Sequence, residues 1–235
     1  MPVTRDPHPG PTLTEWLRQP CADAGPLPGV VRPADVGGAV AFQVLLREGA
    51  LRPVRDGVAV PRSRPVDRTV RATTLADLVL PGTVLGGEAA AWVHAGGGAP
   101  RHVELVAPAA AHLPVSGEDR SVRRALLLGN EHVLLGGIRV TSVLRTALDV
   151  ATAPGRGPAA PGHGSRGGPG PARPSDAEVE RAAALVVRLC RVCDLDVSGV
   201  RRALELRPRW HGRRTARRVL EAASAARPAP GPALA

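Results

Sequence analysis

The residues best placed to do chemistry stand in one short run. Thr141, Ser142, Arg145, Thr146 and Asp149 bring three hydroxyls, a guanidinium and a carboxylate close together along the chain. Arg145 and Asp149 are four apart, so on a helix they are neighbours that can pair. One carboxylate and one guanidinium without a nucleophile or a metal cluster do not make a catalytic set. Such a motif more often pins a helix to a sheet through satisfied polar contacts. Cys190 and Cys193 have the spacing of a metal pair, but a zinc site needs about four ligands and no second pair follows. On one helix they read as two small core residues. The 7 His residues are scattered, with no His-Glu-x-x-His pattern. Gly96-Gly97-Gly98 and Gly136-Gly137 lack the Lys and Ser/Thr of a phosphate loop. The expectation is a protein that is not an enzyme, with no catalytic residue, no metal site and no cofactor.

Charge carries more information than any single motif. All 31 basic residues are Arg, and the net charge is +10. Residues 28–66 hold 6 Arg against 3 acids, residues 67–151 hold 8 against 8, and residues 175–235 hold 12 against 7. A neutral middle between basic flanks is expected if the ends meet a polyanion and the middle does not. The chain has no Lys and no Tyr, and its single Phe, Ile and Asn are Phe42, Ile138 and Asn130. That bias fits a GC-rich bacterial genome. Three cysteines argue against a disulfide framework and suit a reducing cytoplasm. There is no apolar leader at the N-terminus and no run of about 18 apolar residues, so no membrane span is expected.

The elements that position these groups follow from periodicity. Ile138 and Val140 alternate with Arg139 as a half-buried strand. Thr141 or Ser142 caps the helix that follows, and Leu144, Ala147, Leu148 and Ala151 give it an apolar face. Residues 30–65 read as a winged helix-turn-helix. Its parts are a short helix with Pro33 at its first position, the Gly37-Gly38 turn, a helix from Ala39 to Glu48, and a hairpin over Asp56-Gly57. Either Val40, Val44 and Leu45 or Phe42, Leu45 and Leu46 face inward. Gln43 and Arg47 are the candidate base readers, and Arg52, Arg55, Arg62 and Arg64 the candidate phosphate contacts.

Residues 66–151 read as a small mixed α/β domain. Its helix runs over Asp67–Val79, and strands are expected at Thr83–Leu85, His102–Ala107 and Arg123–Leu128. Residues 152–174 are a Gly/Pro/Ala-rich insertion that buries too little apolar surface to order. Residues 175–224 carry Arg-rich helices that complete the second domain. Arg213, Arg214, Arg217 and Arg218 are candidate nucleic-acid contacts there, with Trp210 interleaved for stacking. Residues 1–29 and 225–235 are expected to be loose. The fold class is α+β.

The run Gly137-Ile138-Arg139-Val140-Thr141-Ser142-Val143-Leu144-Arg145-Thr146-Ala147-Leu148-Asp149-Val150-Ala151 resembles the signature of AbiEi-type antitoxins and transcriptional regulators of bacterial type IV toxin–antitoxin systems. The matched positions are Gly137, Val140, Thr141, Ser142, Arg145, Thr146 and Asp149, and the likeness extends from about Val30 to about Glu221. Two departures stand out. Ala59 lies where that family commonly has an aromatic residue. Gly87-Glu88-Ala89-Ala90-Ala91-Trp92-Val93-His94 stands where the family has a run with two serines. The resemblance implies an N-terminal winged domain, an α/β antitoxin domain, operator DNA as partner and a nucleotidyltransferase-type toxin nearby. Such an antitoxin opposes its toxin without needing to touch it. Two other readings are an interaction module that no longer reads DNA, and an enzyme acting on nucleic acid, which would need a carboxylate or His cluster.

Overall fold

Pro33 opens a 3-10 turn, Pro33–Val36, where its missing N–H costs nothing. The computed structural model describes residues 29–108, 117, 119–155, 173–208 and 210–226. The N-terminal segment, the turn of helix expected near Leu13, Cys21, most of the 152–174 insertion, Arg209 and the end of the tail lie outside the described residues. The chain divides into two compact units between Thr74 and Leu75.

In the first unit, Gly37 (φ 84°) and Gly38 (φ 112°) turn the chain into helix α1, Ala39–Arg47. Of the two faces open to it, α1 buries the one with the large aromatic. Ala41 and Phe42 are buried, Leu45 and Leu46 pack beside them, and Val40 and Val44 face outward. Gly49 (φ 71°) closes the helix, with the Ala50 N–H on the Leu45 carbonyl at 3.0 Å and the Gly49 N–H on the Leu46 carbonyl at 3.1 Å. Strands β1 (Leu51–Arg55) and β2 (Val58–Pro61) then pair antiparallel across Asp56-Gly57. Their register shifts between Pro53 and Arg55, where proline offers no N–H to the ladder. Val31 and Ala59 exchange two backbone bonds of 2.8 and 2.9 Å, adding a third extended segment. Helix α2 (Arg68–Thr74) starts at Asp67, whose Oδ1 accepts the Val70 N–H at 2.8 Å. The longer helix expected here stops early. Thr73 and Thr74 turn their hydroxyls back onto the Val70 and Arg71 carbonyls, at 2.9 and 2.7 Å. Only a separate 3-10 turn follows, Ala76–Leu78.

The second unit is built on a five-stranded mixed sheet. Its strands are β3 (Val84–Gly86), β4 (Val103–Ala107), β5 (Arg120–Arg124), β6 (His132–Leu135) and β7 (Ile138–Thr141). Their order is β5-β4-β3-β7-β6. Strands β3–β4 and β6–β7 pair antiparallel, and β4–β5 and β3–β7 pair parallel. Strand β5 ends earlier than its β-forming sequence would allow. Its partner β4 stops at Ala107, opposite Arg124, because Pro108 follows, so Leu126 and Leu128 leave the sheet and stand exposed.

Helix α3 (Gly87–Ala95) is buried on all sides except at Glu88, as its Ala-, Val- and Trp-rich sequence requires. Helix α4 (Val143–Thr152) follows β7 directly, with the Ser142 hydroxyl accepting the Arg145 N–H at 3.4 Å. Helix α5 (Asp176–Val192) begins with a Ser175–Glu178 capping box. Helices α6 (Val197–Glu205) and α7 (Arg213–Ala225) complete the unit. Leu148, Val186, Leu189, Val200, Leu204, Val219 and Leu220 meet in one aliphatic core. Trp210 lies in the turn before α7 rather than within the helix. Among the described residues no helix is long and apolar enough to cross a membrane.

Candidate functional site

The signature run delivers its polar residues to one buried place. Because α4 follows β7 without a loop, Thr141, Thr146, Arg145 and Asp149 all point into the interior, none more than 2% exposed. The Thr141 and Thr146 hydroxyls lie 2.7 Å apart, and Thr146 also donates to the Thr141 carbonyl at 3.1 Å. His94 Nε2, from α3, is 2.7 Å from the same carbonyl. That ring nitrogen therefore carries the proton and donates it. These bonds fix the angle at which α4 leaves the sheet.

Around Arg145 the charges alternate in a chain. Its Nε lies 3.2 and 3.1 Å from the two Asp149 oxygens, and its Nη1 lies 2.6 Å from Glu131 Oε2 and 3.0 Å from the Leu126 carbonyl. Beyond Asp149 stands Arg123, whose Nη2 is 2.8 Å from Oδ1. This is a charge contact without hydrogen-bond alignment. Arg123 Nε donates to Glu104 at 2.6 Å. Beyond Glu131 stands Arg207, which donates to Oε1 at 2.9 Å and to the Ala203 carbonyl at 2.9 Å. Glu104, Arg123, Asp149, Arg145, Glu131 and Arg207 thus form a neutral series drawn from β4, β5, the turn before β6, α4 and the segment after α6. Trp210 completes it. The Arg145 and Arg207 guanidinium carbons sit 4.5 and 5.5 Å from its ring centroid.

Burial of this kind is costly unless every charge has partners. Glu131 shows which force wins. Burial pushes its carboxyl up, but the Leu128 N–H, Arg145 and Arg207 together hold it below the usual carboxylate range. For Arg123, burial works against the charge and Asp149 and Glu104 more than offset it. The set has no nucleophile, and its carboxylates are committed to guanidinium groups.

The network borders a cavity of about 820 Å³, large enough for a small organic ligand. Leu126, Leu128, Pro208 and Trp210 supply apolar wall, and Arg123, Arg124, Arg145 and Arg207 supply positive charge. Sequence reasoning paired Arg145 with Asp149 but missed Glu104, Arg123, Glu131 and Arg207. Trp210, expected to interleave the Arg cluster, stacks with Arg145 and Arg207. Equal numbers of Arg and acid in residues 67–151 were the one available signal.

The other expected residues fall into three places. On α1, Gln43 and Arg47 are both exposed, on one face with Val40 and Val44. On the hairpin, Arg52 and Arg62 are exposed and Arg64 is half-buried. Arg52 donates to the Arg64 carbonyl. Arg55 is half-buried and donates to the Thr74 carbonyl at 2.8 Å, so it ties the hairpin to α2. On α7, Arg213 and Arg217 both pair with Glu205, and Arg218 pairs with Asp176 at 2.9 Å. Arg214 is exposed. Much of the Arg cluster therefore holds helices together. Arg217 and Arg213 pull the Glu205 carboxyl down to about 2. Cys190 is buried, its thiol pushed up to about 11 chiefly by that burial, and Cys193 is half-buried. Among the described residues no group of His, Cys, Asp and Glu is arranged to hold a metal.

No family model matches the chain, and no curated protein matches it. Among solved structures, the crystal structure of the RV2827C protein from Mycobacterium tuberculosis is similar over 83% of this chain and 76% of that chain, at 17% identity and a TM-score of 0.29. A likeness at that level assigns neither fold nor function.

Proposed function

We propose that the chain is a non-enzymatic, cytoplasmic, DNA-binding autoregulator and antitoxin of AbiEi type. The first unit would act as a winged helix-turn-helix on operator DNA, and the second would carry the antitoxic role. The observation that carries this reading is the outward face of α1. Packing of Phe42, Leu45 and Leu46 leaves Val40, Gln43, Val44 and Arg47 in solvent. Gln and Arg are side chains that reach base edges, and an apolar group meets the thymine methyl. The hairpin that follows presents Arg52 and Arg62 as phosphate contacts. The sequence resemblance at Gly137–Ala151 supports the antitoxin part. It implies a functional link to a nucleotidyltransferase-type toxin without a required complex.

A second reading follows from the same face. Val40 is 76% exposed and Val44 41%. Two valines among four outward residues also suit a protein-binding module that reads no DNA. The test is binding of the full chain to its own upstream DNA and to a scrambled duplex across a salt series. A preference for its own DNA that falls with Gln43→Ala or Arg47→Ala supports the regulator. Equal, steeply salt-dependent binding to both assigns the affinity to scattered Arg charge. Absence of binding moves the weight to the interaction module.

A further inference from the structure

The sheet of the second unit has two edges, and they differ. β5 carries Arg120, Arg123 and Arg124 along one edge, the kind of charge that keeps a strand edge from pairing. β6 forms the other edge with His132, Val133, Leu134 and Leu135, and it holds no Arg, Asp, Glu or Pro. Its register with β7 runs without a bulge, from His132 opposite Thr141 to Leu135 opposite Ile138. Gly136 (φ 55°) and Gly137 (φ 83°) close a two-residue hairpin, whose flanking pair, Leu135 and Ile138, is hydrogen-bonded. Alternation then turns the backbone groups of Glu131, Val133 and Leu135 towards β7. The Ser142 N–H on the Glu131 carbonyl, at 2.8 Å, has the same phase. The N–H and C=O of His132 and Leu134 therefore point away from the sheet, and among the described residues they meet no hydrogen-bond partner. The edge is also apolar and open: Leu134 is 67% exposed and Val133 39%.

We infer that β6 pairs antiparallel with β6 of a second copy of this chain, joining the two sheets across a two-fold axis. Opposed residues in an antiparallel pair both present their backbone groups to each other or both withhold them. His132 and Leu134 are the residues that present them. The register that uses both sets His132 opposite the partner's Leu134 and places Val133 on the axis, opposite its own copy. Every outward N–H and C=O of both strands then finds a partner. A two-fold contact must also tolerate its own charge. The chain carries +10 overall, yet β6 brings no Arg, Asp or Glu to the axis. Arg139, across from Leu134 on β7, stands three strand spacings from its copy, at least about 14 Å and beyond a Debye length of about 8 Å. At the β5 edge the same axis would set arginines against arginines. Leu134 and Val133 lose water-exposed apolar surface in the contact.

The test is sedimentation equilibrium of the full chain from about 1 μM to about 1 mM, a range that covers weak self-association. A monomer–dimer equilibrium is expected. Leu134→Lys puts a charge on an exposed side chain of the edge. It should raise the dissociation constant by at least about tenfold while the melting temperature of the dilute protein holds. Oxidative cross-linking reads the register. Val133→Cys puts its sulfurs on a non-hydrogen-bonded pair with Cα atoms about 4.5 Å apart, within disulfide reach. Leu134→Cys leaves them diagonal to each other, about 8 Å apart and outside that reach. Val133→Cys should therefore give a covalent dimer faster than Leu134→Cys and faster than the parent chain, whose three native cysteines set the background. The inference is overturned if the chain stays monomeric throughout, which would leave the edge to a strand of another protein. It is also overturned if Leu134→Lys leaves the dimer unchanged, which would move the contact to another surface, or if Val133→Cys links no faster than Leu134→Cys.

Discussion

The Arg145 guanidinium carbon lies 4.5 Å from the centre of the Trp210 ring, across a stretch of sequence that no spacing rule connects. Trp210 covers a cation that is already bound to two carboxylates, so the ring shields those pairs from water and strengthens them. Trp210→Ala should lower stability by more than the apolar burial alone, with about 0.5–2 kcal/mol from the lost cation–π contact. Trp210→Phe should recover part of it. Denaturant melts of the two variants and of Trp210→Leu measure the difference, and a leucine variant as stable as the phenylalanine variant would show that the ring acts by bulk only.

Arg145 itself bridges Asp149 and Glu131. Arg145→Ala leaves two carboxylates buried without their shared partner. The expected loss is about 3–5 kcal/mol. Arg145→Lys keeps the charge but cannot present Nε and Nη1 in one plane to both acids, so it should recover only a fraction. A lysine variant as stable as the parent, by urea melt, would reduce the site to simple charge pairing.

Acid should loosen this region through Glu131. Its folded pKa lies below the ordinary 4.5, so the unfolded chain takes up protons first as pH falls. The contribution of Glu131 is fully present above about 4.5 and is lost as pH drops through the lower folded value. Glu131→Gln should flatten the stability profile in that window. Overlaid urea midpoints for parent and variant between neutral and acid pH give the comparison, and parallel curves would remove Glu131 from the account. Glu205 gives a second, spectroscopic check: its carboxyl should titrate near 2 by NMR and return towards 4.5 in Arg217→Ala.

Local rules worked where one segment decides its own conformation. Ser175 with Glu178, Pro33, Gly49, Asp56-Gly57 and the β7–α4 junction each carry a cap or turn signal that needs no distant partner. They failed where a distant partner decides. Strand β5 ends at Arg124 because Pro108 ends its neighbour, which Arg123–Leu128 does not encode. The two faces of α1 were equally periodic, and only the hairpin beneath it selects Phe42. Of the ion series, the one pair legible beforehand was Arg145–Asp149, the pair at helical spacing. Glu104, Arg123, Glu131 and Arg207 join it through strand order and the position of α6. Glu205 is one residue in the sequence, yet it pairs with two of the α7 Arg residues, Arg213 and Arg217, in the fold.

The turn into α3 makes the sharpest backbone prediction. Gly86 ends β3 and Gly87, with φ 55°, begins the helix. A Cβ on Gly86 would come 2.8 Å from Val106 Cγ2, and a Cβ on Gly87 would come 3.3 Å from Glu104 atoms in a left-handed backbone. Glu104 is also the outer member of the ion series, through Arg123. Gly87→Ala should therefore cost about 1 kcal/mol or more from the backbone alone and disturb the Glu104–Arg123 pair as well. Gly57→Ala has a similar φ of 67° but meets nothing within 4 Å. It should show the backbone cost by itself. Thermal melts of both variants, with Glu104→Gln as a third, separate the two contributions. If Gly87→Ala costs no more than Gly57→Ala, the close approach of α3 to β4 does not bear on the ion series.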